Sequence, residues 1–251
     1  MGRYVATSSY EYDTPEWPPH PDRLFSALVA AYKETDLGRP ERDALEWLET
    51  LPTPEISAPA AYPRSVVSAF VPINDPYIPQ DPKKLTGKQL TKMQRDGIDV
   101  LPTSRPRKQR TFPSYVPESP IVQFIWPNVG DQSKLHTPAL MRITEAVTYL
   151  GHSSSPIRAT IHTDAPAPTY VPSHPNDTIP GDTAPGTSLK IRTITPGRLR
   201  ELEDAYQAGE YPLPGRSVIY HRPASGPPMQ PPLQSLFDEN LIVFRRTEGP
   251  Y

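Results

Sequence analysis

The residues of this chain best suited to chemistry are cations. Lys83, Lys84, Lys88, Lys92, Arg95, Arg105, Arg107, Lys108 and Arg110 fall within residues 83–110, against Asp96 and Asp99. That stretch carries +7, and because the whole chain has a formal net charge of -2 the remainder carries -9. Cations concentrated in this way neutralise phosphates, and a basic finger that tracks a nucleic-acid backbone is the chemistry they fit. Tyr77, Phe112 and Tyr115 flank the run, where aromatic rings can stack on unpaired bases. The same composition also suits a solvated loop with no ligand.

A second candidate is Gly151-His152-Ser153-Ser154-Ser155, with Arg158 nearby. It leaves a helix C-terminus, whose dipole repels anions. Even so, His152, Ser153, Ser154 and Arg158 can reach phosphate or sugar oxygens. A hydroxyl-rich turn between helix and strand is the alternative. It is not a nucleophile elbow, which runs from strand into helix. The other histidines (His20, His136, His162, His174, His221) have no metal-ligand spacing, and neither a Walker loop nor a cysteine is present. No metal and no cofactor is expected. A histidine acid–base pair for RNA cleavage needs no sequence spacing, so His152 and His20 stay open as ribonuclease residues.

The elements that position these groups are organised around Glu16-Trp17-Pro18-Pro19-His20-Pro21-Asp22-Arg23. Its prolines keep the chain extended up to His20, and Pro21 can open a helix in which Leu24, Phe25, Leu28, Val29 and Tyr32 form one apolar face. Asp22 suits the positive end of that helix's dipole. Trp17 reads as a core anchor. A strand over 3–8 precedes this helix, and a second helix begins near Pro40 and stops before Pro52.

Strands follow at 65–71 and 121–126, separated by an excursion over 73–118. A helix over 138–150, with Gly151 closing it, leads to an alternating strand over 157–162. Strand, helix, strand, strand, helix, strand is the order of an α+β fold of the ferredoxin-like or RNA-recognition-like kind, an antiparallel sheet with two helices on one face. The long basic insertion would be its thumb. The expected division is a core over 1–163 and, over 164–251, a Pro-rich linker followed by a smaller α+β extension. That extension holds a strand at 189–194, a helix at 196–208, a strand at 218–221 and a last strand at 241–246. The linker itself is read as 163–186.

Thirty-six prolines among 251 residues are scattered between apolar segments, which points to a folded scaffold with rigid connections. No apolar run is long enough for a membrane span, so the cytoplasm is the default location. A net charge near zero argues against a protein that coats nucleic acid with its whole surface.

Several segments resemble, in order, the start of the fused Cas-five/Cas-six subunit of type I-U (also called I-G) CRISPR systems. They are Arg3–Ala6, Glu16–Ala31, Ala44–Glu49 with Pro54–Ile56, Arg105–Pro113, Thr148–Pro156 and Tyr211–Arg216. The resemblance implies a subunit of an RNA-guided surveillance complex. Its first half would have an RNA-recognition-like core and a thumb, would cap the 5′ handle of the CRISPR RNA, and would abut the backbone and large subunits. Target DNA within the complex is a further possible partner, whereas a membrane and independent homo-oligomerisation are not expected.

The family's second half is a CRISPR RNA-processing endoribonuclease that also holds the RNA's 3′ hairpin. The chain ends about where that half should begin, so no nuclease residue carries over and a non-catalytic role is expected. It also begins at Met1-Gly2-Arg3, where relatives carry more apolar strand residues. On this reading Arg105, Arg107, Lys108 and Arg110 contact RNA phosphates, with Lys83, Lys84 and Lys88 in support, and His152, Ser153, Ser154 and Arg158 face the handle. A metal-independent ribonuclease and a protein-binding scaffold, its basic loop on an acidic partner, are the alternatives.

Overall fold

A computed structural model describes residues 2–7, 14–35, 37–64, 68–72, 88, 107–173 and 188–223. The architecture is α+β, with small antiparallel sheets and, among the described residues, four helices, and it is compatible with a ferredoxin-like or RNA-recognition-like fold. Two compact units divide the chain: Met1–Ser65 with Pro113–Tyr251, and Val66–Phe112.

In the larger unit, β1 (Tyr4–Val5) is followed by α1 (Pro21–Glu34) and α2 (Arg39–Thr50). Pro21 occupies the first turn of α1 as expected, and Phe25, Leu28 and Val29 are buried. In α2 the carboxylate of Glu41 reaches back to accept from Gly38 N at 3.0 Å, filling one donor at the helix start. Short strands β2 (Glu55–Ser57) and β3 (Ala61–Arg64) come next. Neither is expected from sequence, because β2 is only three residues long and Pro63 interrupts β3 before any alternation can be established.

The smaller unit contains β4 (Ser68–Pro72) and β5 (Arg107–Thr111), an antiparallel pair in which Ala69 lies opposite Arg110 and Val71 opposite Lys108. The chain then re-enters the larger unit as β6 (Ser114–Pro117), the middle strand of a sheet ordered β1-β6-β3. Residues 114–117, read from sequence as part of the excursion, are thus a central strand. Tyr115 accordingly packs its ring on Trp17, with centroids 6.0 Å apart, and is not free to stack on a base. Strand β7 (Gln123–Ile125) pairs with β2.

The third helix, α3 (Gln132–Ala146), begins six residues earlier than the proline at 138 suggested and ends four residues earlier than expected. His136 stacks on Trp47 of α2 at 4.9 Å, a tertiary contact that docks the first turns despite Pro138. Residues 157–162 are not a strand. Their alternation is real, but no neighbouring strand among the described residues pairs with them, and Ile161 is exposed. The expected linker contains Tyr170, which is buried; its N–H donates to Ile56 O and its C=O accepts from Ile56 N, both at 2.9 Å.

Beyond Tyr170 come β8 (Val171–Pro172), β9 (Ser188–Arg192), α4 (Arg198–Ala208) and β10 (Ser217–His221), the strands ordered β8-β10-β9. The expected strand at 241–246 lies outside the described residues. The four helices share one apolar core, including Phe25, Leu45, Leu48, Ile143, Val147 and Leu199. A second core joins Ile56 and Tyr170 to Ile191 and Tyr220. Trp17 anchors as expected: its ring meets Tyr4 and Tyr115, and its N–H donates to Pro59 O at 3.2 Å.

Charged groups tie the C-terminal elements to the helices. Glu49, at the end of α2, accepts from Gly197 N at 2.9 Å and Leu199 N at 2.8 Å, supplying from another helix the N-terminal cap that α4 lacks locally. Arg42 and Lys33 both bond Glu203 at 2.6 Å, and its carboxyl is held down at about 2, chiefly by the Arg42 hydrogen bond. Asp22 stands in the first turn of α1 as expected, and it does more there than complement the dipole. It is buried, and it accepts from Arg198 Nε at 2.8 Å, Arg198 Nη2 at 3.3 Å and Gly215 N at 3.2 Å. It also leaves no room for a side chain at Gly215, where a Cβ would lie 2.6 Å from its Cγ. Removing one partner of a buried pair strands the other charge. Arg198→Ala is therefore expected to lower the unfolding free energy by about 3–5 kcal/mol, measured by urea denaturation. Arg200→Ala, at an exposed 3.7 Å pair with Asp204, should change it by less than about 1 kcal/mol.

Candidate nucleic-acid interface

Three groups of residues bear on nucleic-acid binding. The first is the β4–β5 hairpin of the smaller unit. Alternation puts Lys108 and Arg110 on one face of β5, opposite Val71 and Ala69, and both cations are exposed. Two cations two residues apart on one face match the spacing of successive charges on an extended backbone better than a mixed loop would. Arg107 lies opposite Pro72 in the same ladder. Phe70 is 63% exposed and belongs to the opposite face, while Phe112 is exposed just beyond β5. Lys88 is exposed. Lys83, Lys84, Lys92, Arg95, Arg105 and Tyr77 lie outside the described residues.

The second group is the turn after α3, in the larger unit. Gly151 holds φ +79°, and a Cβ there would sit 3.0 Å from Val5 O. This glycine therefore serves the close approach of the turn to β1, not the closing of a helix. Ser155 is buried and accepts from Val5 N at 2.7 Å, while His152 N donates to Val5 O at 3.2 Å. The turn thus completes the free edge of β1. His152 and Ser153 are exposed and Ser154 is half-buried. His152 Nδ1 accepts from Ser154 N at 3.2 Å and lies 2.8 Å from Ser154 Oγ. An accepting Nδ1 places the proton of the neutral ring on Nε2. Arg158 is exposed on the extended segment that follows. Of the residues predicted here, the structure brings His152, Ser153 and Ser154 together on one turn.

The third group joins Glu16, His20 and Arg23 of the organising stretch to Arg192, which the sequence does not single out. Glu16 is buried, and its carboxylate accepts from Tyr4 OH at 3.2 Å, Arg23 Nε at 2.7 Å, Arg23 Nη2 at 3.1 Å, and Arg192 Nη2. Burial alone would raise its pKa; the surrounding positive groups, His20 when protonated and then Arg23 and Arg192, outweigh it and hold the carboxyl low. His20 Nδ1 accepts from Arg192 Nε at 3.0 Å, so its 3.3 Å approach to Glu16 is a meeting of two acceptors bridged by an arginine, not an ion pair. Burial, reinforced by Arg192 and Arg23, pushes the His20 imidazole down to about 4. This histidine is a neutral structural acceptor. No local signal marks the cluster, because its members are 176 residues apart in sequence at the widest.

Above this cluster opens a cleft of about 620 Å³, walled by α1, the end of α3 and residues 211–214. Arg23, Arg192 and Arg198 lie in its lining beside Tyr149 and Tyr211. Among the described residues, no group of three or more His, Asp or Glu side chains is arranged to hold a metal ion, and no helix is long and apolar enough to cross a membrane.

Residues 4–214, most of the chain, match a family of CRISPR-associated proteins. The chain belongs to the GSU0054 family of CRISPR-associated proteins. No curated protein and no solved structure matches it.

A neutral His20 in the fold has a consequence for pH. The unfolded imidazole, with a pKa near 6.5, binds a proton before the folded one does, so stability falls as pH drops through 6.5 toward 4. Between pH 6.5 and 5 the wild-type chain is expected to lose roughly 1.5 kcal/mol from this residue. His20→Asn, which keeps an acceptor for Arg192, should flatten that part of the urea-midpoint profile. In a second test, Ser155→Ala, which removes the acceptor for Val5 N–H, should cost about 1–3 kcal/mol, and His152→Ala much less.

Proposed function

We propose that this chain is the Cas-five-like part of a type I-U (I-G) surveillance complex: a non-catalytic subunit that binds CRISPR RNA, caps its 5′ handle and contacts the backbone and large subunits in antiviral defence. Membership of a CRISPR-associated family sets the context. The observation that carries the RNA-binding part is the pair Lys108 and Arg110, exposed on one face of β5, at the end of a stretch whose charge is +7 against -9 elsewhere. A chain that is acidic outside one insertion meets phosphate through that insertion and leaves its remaining surface for protein neighbours. His152, Ser153, Ser154 and Arg158 are assigned as supporting contacts to the handle, and Lys83, Lys84 and Lys88 as supporting phosphate contacts.

Replacing Arg105, Arg107, Lys108 and Arg110 together with alanine should weaken CRISPR RNA binding. It should also flatten the log–log salt dependence by up to about 3, since each phosphate neutralised on a single strand adds about 0.7 to that slope. An unchanged slope and affinity would show that the hairpin does not hold RNA.

The second reading is a metal-independent ribonuclease, which the 2.8 Å approach of His152 Nδ1 to Ser154 Oγ favours over one at His20. On the capping reading, incubating the purified chain with its repeat RNA, with or without chelator, leaves the RNA intact. Site-specific cut products that disappear in His152→Ala would replace capping with cleavage.

A further inference from the structure

The proposed function places backbone contacts on the basic hairpin. The larger unit holds a cleft that can take a base. Its lining contains two arginines held on one carboxylate. Glu16 is the one carboxylate that Arg23 and Arg192 share, both ending on its Oε2, whereas Asp22 is already matched by Arg198. Arg198 is matched a second time by Glu201 at 3.0 Å, and Glu34 also lines the cleft, so the three arginines are balanced in charge and what Arg23 and Arg192 offer a ligand is hydrogen-bond donors.

The hydrogen-bond inventory points the same way. Arg23 directs Nε and Nη2 to Glu16 and Thr7 O, and Arg192 directs Nε and Nη2 to His20 and Glu16. The remaining amino group of each, Nη1, has no partner among the described residues, and neither Nη1 is sealed from solvent. Two guanidinium groups fixed through a common carboxylate, with donors to spare, suit the planar bidentate recognition of a phosphate.

The walls add what a nucleotide needs above its phosphate. Tyr149 is 43% exposed and Tyr211 99% exposed. Both line the cleft together with the small α1 residues Ala27 and Ala30. An aromatic ring that is almost wholly exposed, on a backbone stiffened by the proline that follows it, has no packing role in the fold. Such a ring is available to stack on an unpaired base.

We infer that this cleft takes one unpaired nucleotide of an RNA strand, its phosphate on Arg23 and Arg192 and its base against Tyr211 and Tyr149. The inference rests on the RNA-binding reading above and gives that reading a second site in addition to the hairpin. The site recognises a nucleotide with its phosphate and does not depend on base identity, since stacking and a phosphate clamp carry no base code.

The test uses the 251-residue chain and a fluorescently labelled single-stranded RNA of about eight nucleotides, within the site sizes common for single-strand binders, followed by anisotropy, with circular dichroism to confirm folding. Arg23 and Arg192 hold the fold together, so the informative changes are at the exposed wall. Ala30→Glu brings a negative charge to the cleft from an exposed position and should weaken binding at least tenfold, while Ala30→Gln of equal size weakens it much less. Tyr211→Ala should weaken it between about fivefold and about a hundredfold, the range for loss of one base stack. Adenosine monophosphate should compete with the RNA in the wild type and in the alanine variant of the hairpin.

Binding that disappears in the hairpin variant yet is unchanged in Ala30→Glu and Tyr211→Ala would overturn the cleft inference and leave the RNA-binding reading standing. A wild-type chain that binds neither RNA nor adenosine monophosphate would overturn both.

Discussion

Burial of two carboxylates at the start of the first helix is the constraint on which the larger unit depends. Glu16 and Asp22 lie under the fold and would be intolerable there as lone charges. Arg23 in the same turn meets Glu16, but the remaining partners, Arg192 and Arg198, arrive only after the first three helices. The first turn of α1 is therefore not finished until the last described elements are in place. The Trp-Pro-Pro-His-Pro run gains its meaning from this: its prolines fix the backbone so that Glu16, His20 and Asp22 meet arginines from elsewhere in the chain. Glu49 makes the same kind of demand in reverse, since the second helix supplies the cap for the fourth.

Charge is sorted accordingly. In the larger unit, the cations nearest the core are committed to carboxylates: Arg23, Arg192 and Arg198 face Glu16, Asp22 and Glu201. In the smaller unit, the cations stand on an exposed strand with small or apolar residues opposite. This separation confines attraction for anions to defined places and does not spread it over the whole body.

Much of this architecture can be read from the sequence, and the failures have physical causes. The helices at 21–34, 39–50 and 198–208 show because their apolar residues recur at helical spacing, and the strands at 123–125, 188–192 and 217–221 because they are short apolar runs between turns. The segment 157–162 alternates just as well and forms no strand: alternation describes a face, but a strand also needs a neighbour with unpaired hydrogen-bonding groups. Strands at 55–57 and 61–64 are too short and proline-broken to announce themselves. Tyr170 lies within a stretch whose composition reads as a linker, yet its ring fills a core. The candidate site divides in the same way. The basic run is visible as local composition, and the serine-rich turn as a motif, although its Ser155 proves to be a structural acceptor. The arginine pair is invisible, because an arginine that will be buried looks in sequence like any solvated one.

The insertion has one more property, which follows from the register of β3 against β6. Arg64 and Ser114 are direct partners across that ladder, so everything between them is, topologically, the loop of a single hairpin. The core therefore closes a loop about ten times longer than a five-residue hairpin connection, at an entropic cost of only about 2 kcal/mol. A module attached at two adjacent points on a sheet can be lengthened, shortened or exchanged while the strand pairing that carries it stays the same. The part of the molecule that bears the exposed cations is thus also the part that can change with the least consequence for the fold.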